Sequence, residues 1–147
     1  MAIINDCNIP EDLYCDGEQD VWVRFEDDTF VLGMTDIAQS LAGRFLYAHI
    51  KEAGRHVEAG KSIATVESSK WVGPVRTPVA GEIIAVNEKV EENPDLINKS
   101  PYNDGWIARL KGKDIAEAMN RLVTGKAAVE VYKKKIEEQK VECKKIK

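Results

Sequence analysis

Glycines at positions 43, 54, 60, 73 and 81, with prolines at 74 and 78, cut the middle of this chain into short pieces. Both residue types disfavour helix interiors, so the pieces have to be strands or turns. "RFLYAHI", "SIATVES", "PVAGEIIAVN" and, after Gly105, "GWIARL" are β-branched or alternate apolar with polar residues. Their spacing predicts an antiparallel sandwich or flattened barrel rather than βαβ units. "GRFLYAHI" with "HVEAGKSIATV" is echoed by "GEIIAVN" with "KVEENPDLI". That echo predicts two related strand layers meeting at one hairpin.

The flanks add a hairpin and helices. In "VWVRFEDDTFVLGMT", Val21, Val23 and Phe25 alternate with Trp22, Arg24 and Glu26, and Asp27-Asp28 turns the chain. "TDIAQSLAG" predicts a short helix with Thr35 as N-cap, Asp36 at the positive dipole end and Gly43 at C′. Ile37, Ala38 and Leu41 would form its buried stripe. "NPDLINKSPYNDG" reads as a loop with one helical turn at most. From Lys113, Ile115, Met119 and Leu122 share one helical face, and Gly125 breaks the pattern. A second helix from about Ala127 would bury Val129, Tyr132 and Ile136 and leave Lys133, Lys134 and Lys135 in solvent. The end, "VECKKIK", is expected to fray. The expected fold is mainly β with short helices in a single domain, 1–147, its core at about 21–110 and a helical extension at about 113–147.

Bulk properties narrow the function. Of 147 residues, 44% are hydrophobic, enough for a folded core. No apolar run approaches membrane-spanning length, and "MAIINDCNIPEDLYCDGEQD" has no basic segment ahead of an apolar one. The expectation is a soluble cytoplasmic protein with no membrane partner. The net charge of −4 argues against nucleic acid. Eight lysines and four glutamates between Lys126 and Lys147 give the tail +4 and leave −8 on the body. Such a body would steer toward basic protein surfaces. Cys7, Cys15 and Cys143 are scattered, without a CxxC, and their odd number fits a reducing compartment better than a disulfide framework. His49 and His56 are the only histidines and have no ligand spacing, so no metal site is expected.

In "TVESSKWVGPVRTPVAGEI", Lys70 sits at the tip of an expected hairpin, after Glu67, Ser68 and Ser69 and before Trp71. A catalytic lysine needs burial or a neighbouring cation. Lys70 is expected to be exposed, which suits a substrate: a modifying enzyme can reach it, and an attached group can swing from a fixed root. Pro74 and Pro78 stiffen that root. No nucleophile–base pair and no phosphate-cradling loop appear, so no catalytic residue is expected.

"VESSK" followed by "PVAGEIIAVNEKVEENPDLINKSPYNDGW" resembles the lipoyl-bearing region of H proteins of the glycine cleavage system. That family carries Glu-Ser-x-Lys, Pro-Val-x-Gly-Glu, Asn-Glu, Pro-x-Leu-x-Asn and Pro-Tyr-x-x-Gly-Trp stretches in this order. "LGMTDIAQSLAG" is similar to its Gly-Ile-Thr-Asp-x-Ala-Gln segment. The resemblance covers Val21 to about Leu110. It implies a lipoyl/biotinyl-carrier hammerhead fold, no catalytic activity, and lipoic acid amide-linked to Lys70. Glu67, Ser68, Ser69 and Trp71 would then flank the arm as recognition or arm contacts.

The chain also departs from that pattern. Where H proteins have Glu-His-Glu-Trp, it has "EQDVW", and where they have small residues and an Asp after the lysine, it has "WVGPVRTP". With "VTGKAAVEVYKKKIEE", these residues resemble the lipoate-binding proteins of the heterodisulfide reductase-like sulfur oxidation system. That branch implies a heterodisulfide reductase-like complex as partner, sulfur intermediates as cargo, and a lipoate ligase or lipoyl synthesis machinery to load the lysine. The alternative is glycine cleavage, with glycine decarboxylase, aminomethyltransferase and dihydrolipoyl dehydrogenase as partners. A biotin carrier fits less well, because methionines do not flank Lys70, and an unmodified binding module is the remaining reading.

Overall fold

The computed structural model describes residues 2–143. The chain opens with a small pair, β1 (Ala2–Ile4) and β2 (Cys7–Ile9), and continues through β3 (Tyr14–Asp16) into the hairpin β4 (Val21–Glu26) and β5 (Thr29–Met34). The hairpin turns at Asp27-Asp28 as expected, with Asp27 at φ 57°. Helix α1 (Asp36–Ala42) is followed by β6 (Phe45–Ile50), β7 (His56–Val57), β8 (Ser62–Ser68), β9 (Val72–Arg76) and β10 (Gly81–Val86). Helices α2 (Glu88–Glu92) and α3 (Leu96–Lys99) precede β11 (Ala108–Gly112). Helix α4 (Ile115–Arg121), β12 (Val123–Thr124) and α5 (Gly125–Gln139) complete the order.

All strand pairs are antiparallel. Seven strands form one sheet in the order β12-β3-β4-β5-β11-β10-β7, and β6-β8-β9 form another. Neither closes into a barrel, so the fold is the sandwich form of the expected class. Val21, Val23, Phe30 and Leu32 from the large sheet and Phe45, Ile63, Val66 and Val75 from the small one bury their side chains in one cluster. Among the described residues, no helix is long and apolar enough to cross a membrane.

A second cluster lies on the other face of β4 and β5, where Trp22 and Val31 pack with Ile9, Leu13, Cys15, Tyr132 and Ile136. This corrects the alternation in the first hairpin. Trp22 occupies the supposed solvent side and is fully buried, because α5 and the amino-terminal strands cover that face. Its indole donates to the Pro101 carbonyl at 2.9 Å and lies over Gly33, its cross-strand partner, where a Cβ would clash at 2.7 Å. Only a glycine fits opposite that ring.

The helices differ in detail from expectation. Thr35 caps α1 by accepting from Ala38 N–H, and Gly43 ends it at φ 85°. Leu41, expected in the buried stripe, is 40% exposed and lines a surface cleft instead. The strand echo fails in its second half, because "KVEENPDLI" folds as α2 and α3 rather than as a strand. Gly125 does not break a helix but begins α5 at φ 61°. Helix α5 buries Ala128, Tyr132 and Ile136, with Val129 half-buried. Lys135 is no solvated lysine. It pairs with Asp20 and donates to the Gly17 carbonyl at 3.1 Å. Burial raises the Asp20 carboxyl above its usual range, although the bond from Lys135 opposes this.

The cysteine reading is overturned. Cys7 and Cys143 form a disulfide, with Cα atoms 4.8 Å apart and a sequence separation of 136. Two of the three scattered cysteines are thus brought together by the fold, which no spacing rule detects. Cys15 remains a free thiol, buried beside Tyr132, and burial pushes it up to about 12. Nor does the end of the chain fray as far as Cys143. Val141 and Cys143 are buried, Cys143 N–H donates to the Asn5 carbonyl at 3.0 Å, and Ser40 Oγ donates to the Glu142 carbonyl at 3.1 Å. The rest of the expected fraying segment, 144–147, lies outside the described residues.

A cross-link closing so long a loop stabilises the fold by about 5 kcal/mol in the chain-entropy view, and by less where the unfolded state retains structure. Reduction, or Cys143→Ser, should therefore lower the melting midpoint by roughly 5–15 °C. Thermal unfolding followed by circular dichroism with and without reductant measures this shift.

Candidate functional site: the Lys70 turn

The turn between β8 and β9 is the tightest hairpin link, two residues long. Ser68 N–H donates to the Trp71 carbonyl at 2.7 Å and leaves only Ser69 and Lys70 outside the ladder. Ser68 is buried and ties the turn to its support: its hydroxyl donates to the Ala42 carbonyl, the last residue of α1, at 2.6 Å. The same oxygen accepts from Lys70 N–H at 3.4 Å. Ser69 and Lys70 are exposed. The Lys70 side chain runs over Gly43, where a Cβ would stand 3.1 Å from Lys70 Cε. Gly43 thus serves twice, giving α1 its left-handed end and leaving room for the lysine.

The support under the turn is a buried polar knot that the sequence reading did not single out. Asn98, 1% exposed on α3, accepts from Phe45 N–H at 2.9 Å through Oδ1. Its Nδ2 donates to the Gly43 carbonyl at 2.8 Å and to Gln39 Oε1 at 2.9 Å. Gln39 in turn donates to Asp36 at 2.7 Å. The end of α1, the start of β6 and α3 are therefore fixed to one another. The available signal was the asparagine of the Pro-x-Leu-x-Asn stretch, but nothing local shows that it is buried.

Glu67 and Trp71 flank the turn differently. Glu67 is exposed on the outer face of the small sheet, paired across strands with Tyr47 and Val72. It has no recorded contact with Lys70. Trp71 is 39% exposed. One edge of its ring meets Phe45, with centroids 6.4 Å apart at 65°, and the ring folds back over Gly73, where any Cβ would collide with it. The indole is neither buried in the core nor free in solvent, but is wedged at the mouth of a cleft.

That cleft, of about 400 Å³, opens beside the turn between β9 and the α1–β4 side of the sandwich. Trp71, Pro74 and Val75 line one wall, and Met34, Ala38 and Leu41 line the other. Glu18, Asp20 and Arg76 add charge. Lys70 does not itself line the cleft, but its side chain lies over Gly43, next to the Ala42 that does, so an acyl chain on Nζ would begin close to the apolar side chains of Met34, Leu41, Trp71 and Pro74, which suit a lipoyl group. His49 and His56 lie apart from the turn, His49 on β6 and His56 beside Glu58 at 2.8 Å.

The sequence profile described as Glycine cleavage H-protein matches residues 13–135. The chain belongs to this family. Proteins of the family are non-catalytic carriers that hold lipoate covalently. Among curated relatives, a probable glycine cleavage system H protein 2 of Sulfurisphaera tokodaii is 44% identical over 99% of this chain and 100% of that protein. Glycine cleavage system H protein 2 of Aquifex aeolicus is 46% identical over 93% of this chain and 86% of that protein. The crystal structure of a glycine cleavage system H protein from Mycobacterium marinum superposes with a TM-score of 0.68 at 26% identity, covering 77% of this chain and 98% of that one. The H-protein assignment thus agrees with the fold and with the motifs around Lys70.

Replacing Asn98 by Ala leaves Phe45 N–H, the Gly43 carbonyl and Gln39 Oε1 without their Asn98 partner in a buried corner. The expected cost is about 2–4 kcal/mol. Denaturant unfolding gives the loss, and limited proteolysis should show faster cutting at the Lys70 turn.

Proposed function

We propose that this chain is a lipoyl carrier whose lipoate is amide-linked to Lys70 Nζ, and that it serves as an H protein of glycine cleavage. The observation that carries the reading is the position of Lys70: exposed on a two-residue turn, with its backbone held by Ser68 and Ala42. Such a lysine is reachable by a loading enzyme, and its rigid root keeps the arm's origin fixed while the arm moves.

When bound, lipoate supplies a reversible disulfide–dithiol pair that takes up and releases a cargo group. The chain's own residues provide tethering and shelter. Tethering turns a diffusional meeting between partner enzymes into one at high effective concentration. Trp71, Pro74 and Leu41 offer the arm apolar surface, which keeps water from its sulfur end between visits.

Loading is acyl transfer. The Lys70 ammonium first gives up a proton to solvent or to the loading enzyme; the free amine attacks an activated lipoyl or octanoyl carboxyl, the activating group leaves with the electron pair of the broken bond, and the nitrogen loses a second proton as the amide forms. A lipoate ligase or lipoyl synthesis machinery would supply the activated acyl group. The relatives are named as H proteins of the glycine cleavage system, and in that system glycine decarboxylase, aminomethyltransferase and dihydrolipoyl dehydrogenase would be this chain's partners.

One observation favours a second reading, the carriage of sulfur to a heterodisulfide reductase-like complex. A cargo aminomethyl group is cationic and calls for a carboxylate near the arm. Of the two carboxylates lining the cleft, Asp20 is already paired with Lys135 and Glu18 is exposed. Trp71, which follows the lysine, and Pro74, further along β9, are apolar and line the cleft. These walls suit an uncharged or soft sulfur cargo at least as well as an amine.

Intact-mass spectrometry after expression with a lipoylation system should show one lipoyl adduct, absent from Lys70→Arg. A wild-type chain without the adduct would reduce the protein to an unmodified binding module. Incubation of the loaded protein with glycine and glycine decarboxylase separates the cargoes. An aminomethyl mass increment supports glycine cleavage, and its absence while a standard H protein is charged supports sulfur. Trp71→Ala should slow handover to the partner severalfold, scored per lipoylated molecule.

A further inference from the structure

The cleft beside the Lys70 turn runs the length of α1. Lys70 lies over Gly43, at the last turn of that helix. Asp20 stands at the other end, where its carbonyl accepts from the N–H of Thr35, the helix cap, at 3.0 Å. The 7 residues of α1 rise about 10 Å between these points. An extended lipoyl group covers about 9 Å from Nζ to its nearer sulfur, at bond lengths near 1.5 Å. An arm laid along Leu41, Ala38 and Met34 therefore brings its sulfur end to the 17–20 loop.

Charge at that end is balanced from behind. Asp20 lines the cleft, but Lys135 of α5 reaches it from the far side of the loop, where a second groove is lined by Gly17, Glu18 and Lys135. The Lys135 ammonium pairs with Asp20 Oδ1 and donates to the Gly17 carbonyl at 3.1 Å. The two side chains are 17% and 22% exposed, so the pair sits largely out of water. Glu18 and Arg76, the other charged groups of the cleft, are exposed and of opposite sign, and solvent weakens the pull of both. A disulfide or dithiol end gives up no charge hydration on entering such a site. A cationic end gives up its hydration and meets a carboxylate that is already satisfied.

We infer that Lys135 sets which arms the cleft shelters: through its pair with Asp20 it keeps the inner end neutral, so an arm with an uncharged end docks and an arm ending in an ammonium stays outside. Lys135 touches no cargo itself and acts as a positioning residue through Asp20. The inference rests on Lys70 being lipoylated and on neither choice of cargo. An aminomethyl cargo would then ride exposed and be surrendered quickly to the next enzyme, whereas an uncharged sulfur cargo would ride sheltered.

The full-length lipoylated chain tests this without partner enzymes. Met34 lines the cleft, so its methyl resonance in NMR reports docking. The probe cargo is built on the phosphine-reduced arm from formaldehyde and ammonium: S–C and C–N bonds form, and the carbonyl oxygen leaves as water with the thiol proton and one ammonium proton. In the wild type the disulfide arm should shift the Met34 methyl relative to the unlipoylated chain, and the arm ending in S–CH2–NH3+ should not. Lys135→Met frees the Asp20 carboxylate. The cationic arm should then shift Met34, and its adduct, followed by intact mass at mildly alkaline pH, should last about fivefold longer or more than on the wild type. Adding Asp20→Asn to Lys135→Met should cancel that gain, and Lys135→Arg should match the wild type. A cationic arm that moves Met34 in the wild type as far as the disulfide arm does overturns the inference, and that comparison needs no variant. A disulfide arm that leaves Met34 unmoved, or equal adduct lifetimes on the wild type and a folded Lys135→Met, overturns it too. Each of these outcomes leaves the lipoyl carrier standing, whereas a wild-type chain that takes no lipoyl group removes both readings.

Discussion

The Asn98 amide is the point on which the geometry of the Lys70 turn depends. It occupies a corner where α1 ends, β6 begins and α3 passes, and it bonds to both of the others at once. A buried amide with all of these contacts is worth more than its parts, because loss of any one leaves a desolvated polar group behind. Through Gly43 and Ala42 the corner reaches Ser68, and through Ser68 it reaches the tip. The tip therefore inherits its rigidity from the core and not from its own two residues.

A rigid root and a mobile arm divide the work of a carrier. The polypeptide provides position, and the prosthetic group provides reach and chemistry. Under the proposed lipoylation of Lys70, the aromatic and aliphatic surface near the turn would serve the arm. Trp71 is held between Phe45 and Gly73, so its indole offers a fixed face at the mouth of the cleft. Preorganised apolar surface costs little entropy when an acyl chain settles on it.

Much of this was legible in the sequence, for identifiable reasons. The β4–β5 hairpin, the α1 caps and the Lys70 turn are local: alternation, a threonine hydroxyl and a two-residue link each act within a few positions. The family motifs were equally readable, because their order and spacing are specific. What escaped was non-local. Burial of Trp22 requires α5, more than a hundred positions away, to cover the far side of the sheet. The Asn98 corner joins residues more than fifty positions apart. The pairing of Cys7 with Cys143 depends on both chain ends meeting beside α1, and the composition argument that favoured free thiols had no access to that meeting. "KVEENPDLI" misled in another way: its apolar spacing suits either a short strand or a helical turn, and the tertiary context chose the turn.

The Cys7–Cys143 bond closes the 7–143 segment into a covalent macrocycle. A cut anywhere between these residues opens the ring without separating the pieces, so a protease that nicks the Gly54 or Gly60 turn leaves a single particle of unchanged mass on a non-reducing gel.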